Sequence, residues 1–242
     1  MVCEGVETEA HNSLVSESDC DYIQGWYYSK ALPERHAEVF AKEYMQVFLF
    51  LLLITTRLGD GFVTHIFSKD LYRYYGERGE RLVQRLLRPP ELRYIALFRK
   101  AGNCKYKPLK LYYTLRLKLM SYRTHIQIPA RTKIDEGFYI GHSGRIIIHP
   151  DAQLGKNINI ATGVTIGQEN RGKRKGAPKF DGNCWIGTNA VVVGNVRVGE
   201  DVLIAPLSYV NFDVPAHSIV IGNPARIIEQ ENATADYLCN CV

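Results

Sequence analysis

Residues 140–167 read IGHSGRIIIHPDAQLGKNINIATGVTIG, and the spacing of their aliphatics decides the fold. Ile140 and Ile146 stand six apart, and Ile148, Leu154, Ile160 and Ile166 keep the same interval after a slip of two between Ile146 and Ile148. The rhythm extends backward to Ile134 and Ile128. Beyond a polar insertion it resumes at Ile186, Val192, Val198, Ile204 and Val210. A short fixed period of this kind specifies a solenoid. Six residues supply one short strand and a corner, and three such units supply one coil of a parallel β-helix. The aliphatic points into the prism. The glycines that follow it at Gly141, Gly155, Gly167, Gly187 and Gly199 let the backbone turn. The thirteen positions predict about four coils, a prism about 20 Å tall at the usual strand spacing.

The chain has 242 residues, 46% of them hydrophobic and 23% charged, which suits a globular, soluble protein with a real core. A net charge of +5 is compatible with an anionic small-molecule ligand. No basic stretch is interleaved with base-stacking aromatics, so nucleic acid is not expected as a partner. The six cysteines fit no zinc spacing and read as reduced cytosolic thiols; no metal is expected. The run VFLFLLLI at 47–54 is far shorter than the roughly 20 residues of a spanning helix, so no integral membrane span is expected. A cytoplasmic protein is therefore expected.

Four regions follow along the chain. In 1–46, Glu4-Gly5-Val6-Glu7-Thr8 and the later Gln24-Gly25-Trp26-Tyr27-Tyr28-Ser29-Lys30 occur in order. They resemble the C-terminal end of the EAL-type cyclic-di-GMP phosphodiesterase domain. A (β/α)₈ barrel needs on the order of 250 residues, so this fragment is read as a non-functional remnant with a helix over about 33–44. Residues 47–123 form a helical, basic region. Ser68 is placed to cap a helix through Leu71 and Tyr75, and a second carries Leu82, Val83, Leu86 and Leu87 until Pro89-Pro90 stops it. Two more helices span 91–100 and 107–122. The latter has a mostly apolar stripe through Leu109, Tyr112, Tyr113, Leu115, Leu117 and Met120, read as core or subunit contact, with a membrane-facing basic amphipathic role as the alternative. Residues 124–228 are the repeat, and 229–242 a C-terminal tail.

Four motifs lie within the repeat: Ile140-Gly141-His142-Ser143-Gly144-Arg145-Ile146, Ile160-Ala161-Thr162-Gly163-Val164-Thr165-Ile166-Gly167, Trp185-Ile186-Gly187-Thr188-Asn189-Ala190, and Gly222-Asn223-Pro224-Ala225-Arg226. Residues 124–228 resemble the left-handed β-helix acyltransferases of hexapeptide repeats, and within them the serine O-acetyltransferase branch. The resemblance implies a fold that is mainly β, a left-handed parallel β-helix preceded by a small α-helical region. It implies a homotrimer that moves an acetyl group from acetyl-CoA to a hydroxyl by direct transfer. His142 becomes the general base: imidazole titrates near 6.5 and can take the proton of an attacking alcohol. Gln127, fifteen residues earlier, falls where the family has a carboxylate that orients the base. Gly187, Ala190, Ala205, Gly222 and Arg226 would line the groove for coenzyme A, joined by Lys173 and Arg174 of the insertion 168–181. His149 and His217 read as corner and turn residues.

Three positions depart from the serine-specific pattern. Gly141 replaces an aspartate before the base, Ala177 replaces a histidine before Pro178-Lys179, and Gln127 replaces the carboxylate. These losses open the acceptor site to a sugar hydroxyl as well as to L-serine. The competing reading is a β-helix used as a structural or interaction module without catalysis.

Overall fold

The computed structural model describes Val2–Glu4, Tyr22–Gln24 and residues 65–242. The chain divides into two compact units, Met1–Gly61 and Phe62–Val242. In the first, strands β1 (Val2–Glu4) and β2 (Tyr22–Gln24) pair in parallel, with Val2 beside Tyr22. The expected helix over 33–44, the apolar run 47–54 and most of the EAL-like motif residues lie outside the described residues.

The second unit opens with four helices: α1 (His65–Tyr75), α2 (Leu82–Leu86), α3 (Pro90–Asn103) and α4 (Lys107–Thr124). Ser68 does not cap α1. It sits inside the first turn, and its hydroxyl donates back to the His65 carbonyl at 2.7 Å. Pro90 occupies the first helical position of α3, where its missing N–H costs nothing. The helices and the repeat share one hydrophobic core, which runs from Phe67, Leu92 and Phe98 into Ile126, Ile140 and beyond.

The repeat forms a three-faced prism. On the first face, β3 (Ile126–Gln127), β6 (Ile146–Ile148), β8 (Thr165–Gly167), β10 (Val191–Val193) and β13 (Tyr209–Val210) stack in parallel. β4 (Lys133–Ile134) and β11 (Arg197–Val198) lie on the second face, and β5 (Tyr139–Ile140), β12 (Val202–Ile204) and β14 (Ser218–Gly222) on the third. β7 (Gln153–Ile160) and β9 (Lys179–Ile186) bend around a corner and serve both. All thirteen aliphatics of the sequence pattern are buried, none more than 7% exposed. Register explains why. Ile148, Ile166, Val192 and Val210 stand above one another, as do Ile140, Ile160, Ile186 and Ile204.

Three corrections emerge. Phe180 fills the hexad position that the aliphatic pattern lacks: it pairs with Leu154 and Val198 and is 4% exposed. It follows Leu154 by 26 residues and precedes Val198 by 18, so the insertion adds eight. Val214 and Val220 continue the inward columns beside Val198 and Ile204, so a fifth coil begins where about four were expected. The slip also moves. Ile146 pairs with Ile126 and belongs to a second inward column, Ile126, Ile146, Val164, Ala190 and Ser208, each fully buried. The two extra residues therefore fall in the corner after Ile140, and His142 is in that corner.

Both open ends of the prism are closed. A sheet edge presents unpaired N–H and C=O groups. At the first coil, side chains of the helices take them. The Tyr94 hydroxyl donates to Ile128 O (3.1 Å) and accepts from Ile128 N (2.9 Å). Asp70 accepts from Phe138 N at 2.9 Å, and Arg99 donates to the carbonyls of Ile134 and Asp135. Asp70 and Arg99 are themselves a buried ion pair at 2.8 Å. Burial pushes the Asp70 carboxyl above its ordinary range, against the pull of Arg99. At the far end β14 turns through cis Asn223-Pro224 into β15 (Ala225–Glu229), an antiparallel partner that ends the coils. No helix among the described residues is long and apolar enough to cross a membrane.

Candidate active site

His142 sits in the corner loop 141–145, between the third face of one coil and the first face of the next. The loop is held from both sides. Below, Gly144 N donates to Thr124 O (3.0 Å) and Ile146 N to His125 O (3.1 Å), which fastens it to the end of α4. Above, Thr162 stands directly over Gly144; a Cβ at Gly144 would collide with the Thr162 hydroxyl, and φ there is +150°. Only glycine fits both demands. Before the loop, Tyr74 of α1 clamps Ile140 by both backbone groups, at 2.7 and 3.1 Å. The imidazole itself is exposed.

One edge of the prism organises the rest. The residue after each of the first four third-face aliphatics is small: Gly141, Ala161, Gly187, Ala205. Their amides continue the ladder past the strands, Gly141 N to Ile160 O (3.1 Å), Ala161 N to Ile186 O (3.0 Å), Gly187 N to Ile204 O (2.8 Å) and Ala205 N to Val220 O (2.8 Å). A side chain on Gly187 would run into Pro206 of the next coil. The result is a flat strip about 14 Å long, at one coil spacing per step. His142 is at its lower end. The Gly222 turn, with φ +100°, closes its upper end.

The site residues inferred from sequence divide accordingly. Gly187, Ala205 and Gly222 share the edge with His142. Ala190 does not line it: its side chain is fully buried in the prism. Arg226 lies on β15 opposite Ile221, exposed. Lys173 and Arg174 belong to a different corner, between the first and second faces. Their loop is no loose tether. Glu169 and Gly176 exchange two backbone bonds of 3.0 Å, and Asn195 N donates to Arg174 O at 2.8 Å. Arg174 Nε is 3.6 Å from Glu169 Oε1, so its charge is shared, while Lys173 is exposed.

Gln127 is exposed on β3 and faces a groove of about 600 Å³ lined by Leu117, Tyr122, Pro129, Ile147 and His149. His142 is not among the lining residues, and no hydrogen bond joins it to Gln127. His149 stabilises its own turn, accepting at Nδ1 from Asp151 N (3.2 Å).

The C-terminal tail, to which the sequence assigns no contact, is part of this side of the prism. Residues 230–242 run back along the third face. Asp201 accepts from Ala233 N (3.0 Å), Thr234 N (3.0 Å) and the Thr234 hydroxyl (2.7 Å), and His217 Nδ1 lies 2.9 Å away. Tyr237 packs on Trp185 with ring centroids 4.8 Å apart, and Val242 N donates to Asn157 Oδ1 at 2.9 Å. Ala233 packs on Leu203 and Ala205, so the tail borders the strip. No hexad signal announces this segment. Among the described residues, no group of histidine, cysteine and carboxylate side chains gathers as a metal site.

The stacked hexads and the small-residue edge define a class, the left-handed parallel β-helix proteins of hexapeptide repeats. No family model matches the chain. Over 123 residues it is 32% identical to the serine acetyltransferase of Bacillus pumilus (strain SAFR-032) and 33% to that of Bacillus subtilis (strain 168). Each match covers 50% of this chain and 57% of the relative, so the chain spans little more than half the length of these curated relatives. Among solved structures it resembles the Neisseria gonorrhoeae serine acetyltransferase in complex with serine, at 27% identity and a TM-score of 0.58 over 72% of each chain. It also resembles the Brucella abortus strain S19 serine acetyltransferase in complex with coenzyme A, at 25% identity and a TM-score of 0.60, covering 69% of this chain and 68% of that one. The protein is thus serine O-acetyltransferase-like in its repeat and its fold.

Proposed function

We propose that this protein is an acetyl-CoA-dependent O-acetyltransferase with His142 as its general base. The observation that carries the reading is the shared edge: a histidine on a held corner loop at one end of a strip of small residues. The pantetheine arm is a narrow chain, and such a strip lets it lie against the backbone. Arg226 and Lys173 are exposed and have no ion pair among the described residues, so they can serve as cations for its phosphates. In the reaction the acceptor hydroxyl attacks the thioester carbonyl while the imidazole takes its proton. The tetrahedral intermediate collapses, the C–S bond breaks, and the proton returns to the departing thiolate. No serine or cysteine nucleophile is required.

Lys173 and Arg174 stand on a different edge from His142. We infer a homotrimer in which the loop of one copy reaches the strip of the next, so that each site is shared. The relatives and structures named above support L-serine as acceptor. Gly141, Ala177 and Gln127 remove charged partners for a serine ammonium and favour a surface-polysaccharide sugar. Residues 1–46 are read as a remnant without a part in the reaction.

The test is acetyl-CoA consumption by the full chain with L-serine against a panel of sugars and sugar nucleotides, with calorimetry for coenzyme A. Acceptor-dependent release of free thiol is expected. An intact protein with no measurable affinity for coenzyme A would leave only the non-catalytic reading.

A further inference from the structure

From Leu92 to Ile134 the chain carries eleven lysines and arginines and no aspartate or glutamate, while the whole protein nets only +5. α4 lies inside this stretch. Its inner face packs into the core through Tyr113 and Leu117. Its outer face is not polar. Leu111, Leu115, Leu119 and Tyr122 are 62%, 55%, 61% and 68% exposed. At 3.6 residues per turn these positions make a single stripe down the helix. Lys110 flanks it on one side, Arg116 and Arg123 on the other, and Lys107 and Lys118 rise from within it. None of the five has a carboxylate partner among the described residues. Arg116 instead lies over the Tyr112 ring and donates to its hydroxyl at 2.8 Å.

α4 carries two apolar rows, with lysines and arginines between them, and an apolar row on a helix is ordinarily buried. α4 is buried on one, and a contiguous exposed row of leucines marks an interaction surface. Charge selects the partner. A second copy of this face would set uncompensated cations against cations. An anionic lipid surface satisfies both components: the acyl boundary accepts the leucines, the phosphates accept the lysines and arginines, and Tyr122 suits the headgroup level. Because α4 is not apolar enough to span a bilayer, it would lie in the plane of the interface. We infer that the outer stripe of α4, Leu111, Leu115, Leu119 and Tyr122 with its flanking cations, docks the protein on anionic membranes. The inference does not depend on the proposed acetyl transfer, since the stripe is on a helix and His142 on a corner of the prism.

The experiment is cosedimentation of the full chain with vesicles of phosphatidylcholine alone and of an equimolar mixture with phosphatidylglycerol. Binding to the mixed vesicles, weakened by salt, is expected. Lys110→Gln, Arg116→Gln and Arg123→Gln should each lower the partition coefficient roughly fivefold, from about 1 kcal/mol per basic residue at such a surface. The triple variant Leu111→Ser, Leu115→Ser, Leu119→Ser should abolish binding and keep the wild-type circular dichroism spectrum. No binding by the wild type, or binding that the triple variant retains, overturns the inference. So does a drop in assembly size in the triple variant when the wild type ignores vesicles, which would give the face to a second copy.

Discussion

The Tyr74 hydroxyl donates to the carbonyl of Ile140 at 2.7 Å and accepts from its amide at 3.1 Å, two residues before His142. One phenol thus does for the edge strand what a neighbouring strand would do. Burial raises the Tyr74 hydroxyl well above its ordinary range, so it stays a donor across working pH. Tyr74→Phe leaves a buried donor and acceptor unpaired, at a cost of about 1–3 kcal/mol each at most. The expected outcome is a lower unfolding midpoint in urea together with a reduced kcat at little changed KM for acetyl-CoA.

Gly144→Ala separates loop geometry from stability. The new methyl meets Thr162, so the loop must shift and His142 with it. A displacement of about 1 Å at a catalytic group can cost up to 10²-fold in rate. Activity should fall far more than thermal stability does. Thr162→Ala added to Gly144→Ala should restore part of the turnover, which steady-state kinetics of the single and double variants would show.

Phe180→Ala tests the corrected register. The ring fills the second-face column between Leu154 and Val198. Its removal should destabilise by about 3–5 kcal/mol, as for buried aromatics elsewhere, in equilibrium denaturation. A surface residue of the insertion such as Lys173→Ala should change stability by less than about 0.5 kcal/mol.

The tail clasp titrates in two directions. For Asp201, burial pushes up, but the bonds from Thr234, His217 and Ala233 hold the carboxyl below its ordinary range. The hydrogen bond to Asp201 raises His217 above its ordinary 6.5. The carboxylate's contribution is present above the ordinary aspartate range and is lost as pH falls through the depressed folded value. The histidine's contribution is full below 6.5 and is lost as pH rises through its elevated folded value. Proteolytic protection of residues 230–242 should therefore weaken both as pH falls through the depressed value of Asp201 and as it rises through the elevated value of His217. His217→Gln should remove the loss on rising pH only.

The hexad rhythm made the prism legible because one aliphatic per six residues is both the sequence signal and the packing unit. Phe180 escaped it because an aromatic fills the same space and the insertion shifts the phase. The location of His142 at a corner was readable from the two-residue slip, although Ile146 disguised where the slip falls. The partition of the groove was not readable. Ala190 looks like Gly187 in sequence, yet it is an inward-column residue, while the edge is set by the residue after each third-face aliphatic. The tail and the side-chain closures by Tyr74, Tyr94, Asp70 and Arg99 join residues far apart in sequence, where no local period reports them.

The proposed chemistry rests on His142 as the base. The direct measurement is kcat of His142→Ala with the best acceptor, alongside calorimetric affinity for coenzyme A. Removing a positioned base costs about 10²- to 10⁴-fold. A fall of that size is expected, with coenzyme A binding and the folded state unchanged. Full turnover by His142→Ala would contradict it.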